Sequence, residues 1–150
     1  MIKKIILASD HAGFDLKECL KKDLLELGYQ VEDEGAHEYD EQDDYPDFIV
    51  PAAKKVAKDQ NFRGIIFGGS GQGEAIAANK VKGIRAAVYY GSNIDIVKLS
   101  RTHNNANILS LGARFVTKEH AREAVKLWLN TDFSEDTRHE RRIKKISSTE

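Results

Sequence analysis

Short apolar runs alternate with amphipathic helical patterns along the whole chain, and this alternation limits the possible folds more than any other feature. The runs are KIILAS, YQVEDEG (the weakest), RGIIFGG, GIRAAVYYG and ANILSLG. Strands that alternate with helices usually lie parallel in one sheet, and right-handed crossovers connect them. The sequence therefore predicts the α/β class, with a five-stranded parallel sheet that helices cover on both faces.

The helical patterns show where the covering elements should begin and end. They cover Phe14 to Leu27 and residues 48–60, 74–81, 93–104, 117–131 and 136–146. Gly28 stands where the first helix should stop. Pro51 is tolerated only in the first turn of the second helix, because proline breaks a helix interior. The acidic stretch HEYDEQDDYPD before that helix is expected to be a loop.

Size and composition exclude several classes of protein. The chain has 150 residues, a net charge of −1 and one cysteine, Cys19. We expect one domain over residues 1–150, since no repeat or linker divides the chain. The charge gives no reason to expect nucleic acid or a membrane as a partner. A lone cysteine forms no intrachain disulfide and no zinc ligand set, which fits a reducing cytosol. No signal peptide or membrane span is expected.

Polar or glycine-rich residues follow three of the predicted strands. These segments are Ser9–His11, Gly68–Ser70 and Gly112–Arg114. Ligands of open parallel sheets bind beyond the carboxyl ends of the strands, near the point where the strand order reverses. We therefore expect these three segments to meet at one ligand site.

The loop GGSGQGEAIAANK after the third strand resembles nucleotide motifs without matching them. A P-loop needs Lys followed by Ser or Thr after its second glycine, whereas Glu74 follows Gly73. The dinucleotide fingerprint needs a small residue at position 74 and belongs after the first strand. The exposed amides of the loop suit a phosphate or a reaction oxyanion. Glu74 itself fits either a carboxylate that complements a helix start or a reachable catalytic base.

Two further segments offer groups that could handle protons. Asp10 could be the N-cap of the first helix, beside a loop histidine, His11. Its position at a strand end beside the glycine loop favours a functional role. His103, with Asn104, ends the fourth helical pattern, so it could be a C-terminal cap. Histidine also exchanges protons near neutral pH, as the opening of a sugar ring requires.

The basic segment RHERR and the tyrosine of the acidic loop remain open to two interpretations. Arg138 and Arg142 lie four residues apart, so they share one helix face, and Arg141 points elsewhere. Two guanidinium groups on one face can clamp a phosphate, although charge runs commonly form solvated surfaces. Tyr45 is either part of a lid over the site or a surface aromatic residue.

Five blocks occur in order along the chain: SDHAGFDLK, DYPD, GGSGQGEAIAANKVKGIRAA, RTHNNANILSLGAR and RHERRI. Together they resemble the B-type ribose-5-phosphate isomerases of the ribose/galactose isomerase family, over roughly residues 2–146. The resemblance implies a Rossmann-like three-layer α/β/α sandwich. It also implies a cytoplasmic enzyme of the pentose phosphate pathway, without metal or cofactor, as a homodimer or homotetramer with active sites at the subunit interface. Such enzymes interconvert D-ribose 5-phosphate and D-ribulose 5-phosphate through an enediolate.

The resemblance also implies roles for individual residues. Glu74 would move the proton, and Ser70 with the backbone amides of Gly69, Gly71 and Gly73 would stabilise the enediolate. His103 would assist ring opening while Asp10 holds a hydroxyl. The remaining substrate-binding residues would be Asn104 and Tyr45 at the sugar, and His11, Arg114, Arg138, Arg142 and His139 at the phosphate. A helix over about 136–146 would thus complete the phosphate site. His103, Asn104 and Arg114 would reach in from the partner subunit.

The family has two branches, which differ in their base. One branch uses a cysteine near the end of the third strand, where this chain has Gly68; the other uses the glutamate that here is Glu74. Cys19 lies outside the motif. The chain therefore resembles the glutamate branch. Galactose-6-phosphate isomerase subunits typically lack that glutamate, yet six-carbon substrates such as allose or galactose 6-phosphate stay open, because pockets discriminate one carbon weakly.

Two other hypotheses assign the chain no catalytic activity of its own. A non-catalytic module of flavodoxin-like topology would bind a nucleotide or carry a phospho-acceptor aspartate after the third strand. Gly68 and Gly69 occupy that position here, which disfavours it. The other hypothesis is a catalytically silent subunit of a hetero-oligomer, which would fold and yet leave every sugar phosphate unchanged.

Overall fold

The computed structural model describes all residues, 1–150. Its strands are β1 Lys4–Ser9, β2 Val31–Asp33, β3 Phe62–Gly68, β4 Ala86–Tyr89 and β5 Ile108–Gly112. Its helices are α1 Phe14–Glu26, α2 Pro46–Val56, α3 Gln72–Ala78, α4 Asp95–Thr102, α5 Lys118–Leu129 and α6 Thr137–Ser147. None of the helices combines the length and the apolar character that a membrane span needs.

The five strands form one parallel sheet in the order β2-β1-β3-β5-β4. Successive residues of β1 enter two separate apolar clusters, Ile5 and Leu7 on one face and Ile6 and Ala8 on the other. Helices α1, α4 and α5 pack on the first face, and α2 and α3 on the second. The predicted α/β class and three-layer sandwich are therefore confirmed.

Helix α2 differs from its prediction at its start. It begins at Pro46, inside the stretch expected to be a loop, so Pro51 lies in its second turn and not in its first. Pro46 suits a first helical position, because its fixed φ is helical and its missing N–H has no helical partner there. The helix tolerates Pro51 because its inner face is buried through Ile49, Ala52 and Ala53.

The parallel strands all begin at one edge of the sheet and end at the other. We call the edge where the strands end the carboxyl edge and the opposite one the amino edge. The chain passes from β1 outward to β2 and returns to β3 on the other side of β1, so the strand order reverses between β1 and β3. A ligand crevice is expected at that point of the carboxyl edge.

Helices between parallel strands return from the carboxyl edge to the amino edge, so α4 ends at the amino edge. Arg85, just before β4, donates from Nε to the carbonyls of Asn104 and Asn105, both at 3.1 Å. Helix α6 also lies near this edge, since Glu150 accepts a hydrogen bond from the backbone of Gly83. Its only buried residue is His139, so α6 is an arm and not a layer of the core.

Candidate active site

The loop after β3 presents unsatisfied backbone amides at the carboxyl edge. Gly71 adopts a left-handed conformation, with φ 77°, which favours glycine. The buried Ser110 hydroxyl donates to the Gly71 carbonyl at 2.7 Å and holds the loop against β5. The amides of Gly69, Ser70 and Gly71 donate no hydrogen bond within the chain. Successive free amides form a concave donor surface that suits an anion.

Glu74 lies directly over the end of β3 and is only 4% exposed. Burial raises the pKa of its carboxyl above the usual range, and the nearby Asp10 adds to the rise. A hydrogen bond from the backbone N–H of Glu74 itself opposes this effect. A buried carboxyl with a raised pKa, beside free amides, has the properties of a general base for proton transfer near neutral pH.

Glycines leave space for the functional side chains around the loop. A Cβ at Gly68 would overlap the Glu74 carboxylate, so a side chain at position 68 and the observed Glu74 conformer exclude each other. A Cβ at Gly73 would stand 2.8 Å from the Tyr45 hydroxyl, which places Tyr45 against the loop.

Asp10 and His11 follow β1 and face the same crevice. Asp10 is 7% exposed, and its Oδ1 accepts from the backbone N–H of Gly13 at 3.1 Å. The N-cap of α1 is Gly13, so the N-cap interpretation of Asp10 is wrong. The His11 ring bonds through Nδ1 to Asp43 Oδ1 at 2.6 Å. This bond raises the pKa of His11 above its ordinary value, while burial acts against it.

Arg114 belongs to the same crevice within one chain. The pairing of β3 with β5 continues past both strands, because Arg114 donates its backbone N–H to the Gly69 carbonyl at 3.0 Å. Arg114 is exposed, and its Nη1 lies 3.1 Å from the place of a Cβ at Gly69. The expectation that Arg114 reaches in from a partner is therefore corrected: the adjacent strand of its own chain delivers it.

His103 and His139 form a second cluster, which lies at the amino edge. His103 occupies the C-cap position of α4, as the capping interpretation predicted. Its ring stacks on the buried His139 ring, with centroids 4.2 Å apart and planes inclined by 18°. Burial lowers the pKa of His139, and the charges of His103 and Arg138 lower it further. Asn104 lies next to His103 in the loop that Arg85 holds.

Arg138 and Arg142 are exposed on α6, one helical turn apart. Arg138 is paired through Nε with Asp136 Oδ2 at 3.1 Å, and Asp136 also caps α6 by accepting from the backbone N–H of Arg138 at 2.9 Å. Both guanidinium groups act on His139 and lower its pKa. The two arginines thus belong to the second cluster, together with the stacked histidines.

One chain brings only part of the predicted site together. The crevice at the carboxyl edge contains Asp10, His11, Tyr45, Gly69, Ser70, Gly71, Gly73, Glu74 and Arg114. The amino-edge cluster contains His103, Asn104, Arg138, His139 and Arg142. No hydrogen bond or ion pair joins the two groups. Because they lie at opposite edges of one sheet, they cannot act on one substrate within a single chain.

Two residues of the crevice were missed by sequence reasoning. Asp43 binds His11, yet nothing in the sequence around it distinguishes it from the other acidic residues of its loop. Ser110 supports Gly71, yet it reads as one polar residue in an apolar run. Asp10, His11 and Asp43 also place possible metal-ligand atoms within 4.8 Å of one another. His11 and Asp43 direct those atoms at each other, which makes them a carboxylate–imidazole pair.

Comparison with known proteins identifies relatives along almost the entire chain. Residues 5–146 match the family described as Ribose/Galactose Isomerase. Ribose-5-phosphate isomerase B of Mycolicibacterium paratuberculosis is 43% identical over 140 residues, which cover 93% of this chain and 87% of the relative. D-erythrulose-4-phosphate isomerase 2 of Mycolicibacterium smegmatis is 40% identical over 152 residues, which cover 100% of this chain and 99% of the relative.

A solved structure gives the same result for the fold. Ribose-5-phosphate isomerase B of Mycoplasma genitalium, with bound ribulose 5-phosphate, superposes with a TM-score of 0.92. The two chains are 40% identical, and the match covers 97% of this chain and 95% of the other. The similarity therefore extends over nearly the whole length of both chains.

Proposed function

The chain belongs to the ribose/galactose isomerase family, and on that premise we propose that it interconverts D-ribose 5-phosphate and D-ribulose 5-phosphate. The observation that carries the proposal is the buried Glu74 carboxyl, whose pKa is raised, beside the free amides of Gly69 and Gly71. A base next to oxyanion donors is the arrangement that proton transfer through an enediolate requires. We assign the reaction to one sugar-phosphate isomerase domain over residues 1–150.

The crevice supplies the groups for each step of this transfer. Glu74 removes the proton from C2 of the open-chain aldose, and the C1 carbonyl oxygen takes up the negative charge as the enediolate forms. Ser70 and the loop amides stabilise that oxygen. Glu74 then returns the proton to C1, and the proton of the C2 hydroxyl passes to the C1 oxygen, which leaves the ketose. Asp10 and Tyr45 hold hydroxyls of the sugar.

Phosphate binding draws on both edges of the sheet. His11 and Arg114 line the crevice, and their charges reach each other, since Arg114 opposes the rise of the His11 pKa. We propose that Arg138 and Arg142 complete the phosphate site, with His139 beside them. Their position on the α6 arm, away from Glu74, means that a second copy of the chain must present them. Paired guanidinium groups suit a phosphate dianion.

A homodimer with shared active sites follows from this division. His103 would open the sugar ring and Asn104 would orient the chain, both from the amino edge of the partner subunit. In a twofold dimer each copy gives its amino-edge cluster to the crevice of the other, so two equivalent sites form. A tetramer built from two such dimers would keep the same sites. We also place the enzyme in the cytoplasm and in the pentose phosphate pathway, where the free thiol of Cys19 would stay reduced.

A second candidate substrate is D-erythrulose 4-phosphate, because a relative that is 40% identical over the whole chain is named D-erythrulose-4-phosphate isomerase 2. Both substrates would use the same chemistry at C1 and C2 and differ only in the distance from these carbons to the phosphate. Allose 6-phosphate and galactose 6-phosphate also remain predicted alternative substrates, because they too differ in the distance from C1 and C2 to the phosphate. The distance from Glu74 to the phosphate ligands of both edges therefore decides which chain length fits.

The test follows ribulose 5-phosphate formation from ribose 5-phosphate by the purified protein. Erythrulose 4-phosphate and allose 6-phosphate are compared in parallel, with and without prior EDTA treatment. We expect the highest kcat/KM on the five-carbon pair and the same activity after EDTA. A higher value on the four-carbon substrate would favour the second candidate. Folded protein that is inactive on every sugar phosphate would support a silent subunit and contradict the proposal. Thermal stabilisation by ATP or NAD alone would favour a binding module.

A further inference from the structure

Asp43 makes two hydrogen bonds to His11 through a single carboxylate oxygen. Its Oδ1 accepts from the backbone N–H of His11 at 3.1 Å and bonds to the ring Nδ1 at 2.6 Å. The Asp43 side chain is only 8% exposed. Its other oxygen, Oδ2, is buried and has no hydrogen-bond partner. A buried carboxylate with one partner has a strong electrostatic reason to keep that partner protonated.

The bond to Asp43 fixes the orientation and tautomer of the imidazole. A carboxylate only accepts, so His11 must carry a proton on Nδ1. Nε2 then lies at the other end of the ring, and no protein group bonds to it. Tyr39 packs edge-on against the same ring, with centroids 6.1 Å apart and planes at 86°. Together the two contacts leave Nε2 free for a ligand.

The charged groups around His11 come from three elements. Asp10 at the end of β1 and Asp43 in the acidic loop favour the imidazolium, while Arg114 after β5 and burial disfavour it. The hydrogen bond to Asp43 is the largest of these contributions, and the pKa of His11 is raised in sum. A raised pKa means that the imidazolium is complete at low pH and is lost only as pH rises through this higher value.

We propose that Asp43 is a positioning residue that holds His11 as an imidazolium with its Nε2–H directed at the substrate phosphate. The inference deepens the proposed function, because it rests on His11 as a phosphate ligand. It assigns a role to a residue outside the five sequence blocks and explains why a carboxylate stands close to an anion site. Asp43 lies on the Nδ1 side of the ring, so its negative charge repels the phosphate only weakly. The imidazolium that Asp43 maintains faces the phosphate directly.

The first test measures His11 alone and needs no activity. Imidazole ¹⁵N and ¹H NMR shifts of His11 are followed against pH in the wild-type protein, in Asp43→Asn and in Asp47→Asn. Asparagine has the same shape and can still accept both hydrogen bonds, so the fold is expected to persist. We expect a lower His11 pKa in Asp43→Asn only. Asp47 is an exposed carboxylate in the first turn of α2, so its variant controls for general charge.

The second test measures KM for ribose 5-phosphate across the same pH range. We expect the KM of Asp43→Asn to match that of wild type at low pH and to exceed it at pH values above the wild-type His11 pKa, about tenfold for each unit by which NMR finds that pKa lowered. We expect kcat to change little, and Asp43→Glu to restore part of the binding. An unchanged His11 pKa, or a KM ratio that is constant with pH, would overturn the proposal while leaving the isomerase function intact. Inactive wild-type protein would contradict the function, and the NMR titration would still decide the role of Asp43.

Discussion

The two edges of the sheet carry the two parts of the proposed site in different ways. At the carboxyl edge, Glu74 and Asp10 are buried, and the loop around Gly71 is fixed by hydrogen bonds to β5. At the amino edge, Arg138 and Arg142 are exposed on a helix that lies outside the core. The first part is complete within one chain, whereas the second lies at the opposite edge of the sheet.

This difference matches the chemistry that we propose for each part. Proton transfer needs a base held to within a fraction of an ångström, with a pKa set by burial, and only a packed core provides both. Recognition of a phosphate needs charge and reach, which an exposed helix can supply from another subunit. We therefore expect substitutions of the buried base Glu74 and its supports to reduce kcat, and substitutions of the exposed arginines of α6 to raise KM.

The largest effect is expected at the carboxyl edge, in Glu74→Gln. Glutamine keeps the shape of the side chain and cannot accept the proton, so kcat should fall by about 1,000-fold while KM changes little. Steady-state kinetics on ribose 5-phosphate measures both constants. The exposed Glu119→Gln is the control and should behave as wild type. A Glu74→Gln enzyme that retains its kcat would remove Glu74 from the mechanism.

Gly68→Ala tests the carboxyl edge again without replacing a reacting group. The new methyl group would overlap the Glu74 carboxylate and displace it. A displacement of about 1 Å typically costs about 100-fold in rate. In the Glu74→Gln background the same change should cost almost nothing more, because the base is already absent. Additive losses in this double-mutant cycle would show that Gly68→Ala acts through general misfolding.

The amino edge is tested by Arg142→Ala, with Arg141→Ala as its matched control. Arg142 lies about one turn from Arg138 on the same face of the helix. Arg141, the residue before Arg142, is rotated from it by about 100° around the helix axis. Loss of a charge-assisted hydrogen bond to phosphate should raise KM by about tenfold and leave kcat within a few-fold. Equal effects of the two substitutions would indicate general attraction by a basic helix, as the solvated-surface interpretation of this segment predicts.

The smallest expected effect is a shift in pH dependence. Glu74 must be ionised in the free enzyme to act as a base, so kcat/KM falls as pH drops through its raised pKa. Asp10 contributes to that rise, so Asp10→Asn should move the acid limb to lower pH. The substrate titrates equally with both enzymes, so the difference between the two profiles reports the protein. An acid limb that stays in place would leave burial as the whole cause.

The layers of the fold were predictable because parallel strands buried on both faces leave a clear pattern. Ile5 to Ala8 form an unbroken apolar run, and the structure buries all four on alternating faces. The start of α2 was not predictable from that pattern. A proline at position 51 indicated a start near Phe48, whereas Pro46 begins the helix and burial of Ile49 outweighs the cost of the internal proline.

The residues that directly follow strands could be predicted to lie together. A residue that a distant loop brings back to the strand ends could not. Glu74, Asp10 and Arg114 follow β3, β1 and β5, and topology alone brings those ends together. Asp43 reaches His11 from a loop whose path depends on tertiary packing, so no local signal marks it. The assignment of Arg114 to a partner subunit was wrong, because the adjacency of β5 and β3 places it over Gly69 of its own chain.

In the proposed dimer, each active site combines the carboxyl edge of one chain with the amino edge of another. Subunit complementation tests it most directly. Glu74→Gln and His103→Ala proteins, each nearly inactive, are unfolded together, refolded and assayed for ribose 5-phosphate isomerisation. In random dimers half the molecules are mixed, and each mixed dimer has one intact site, so about a quarter of the wild-type activity should return. A mixture that forms mixed dimers and stays as inactive as its components would contradict the shared site.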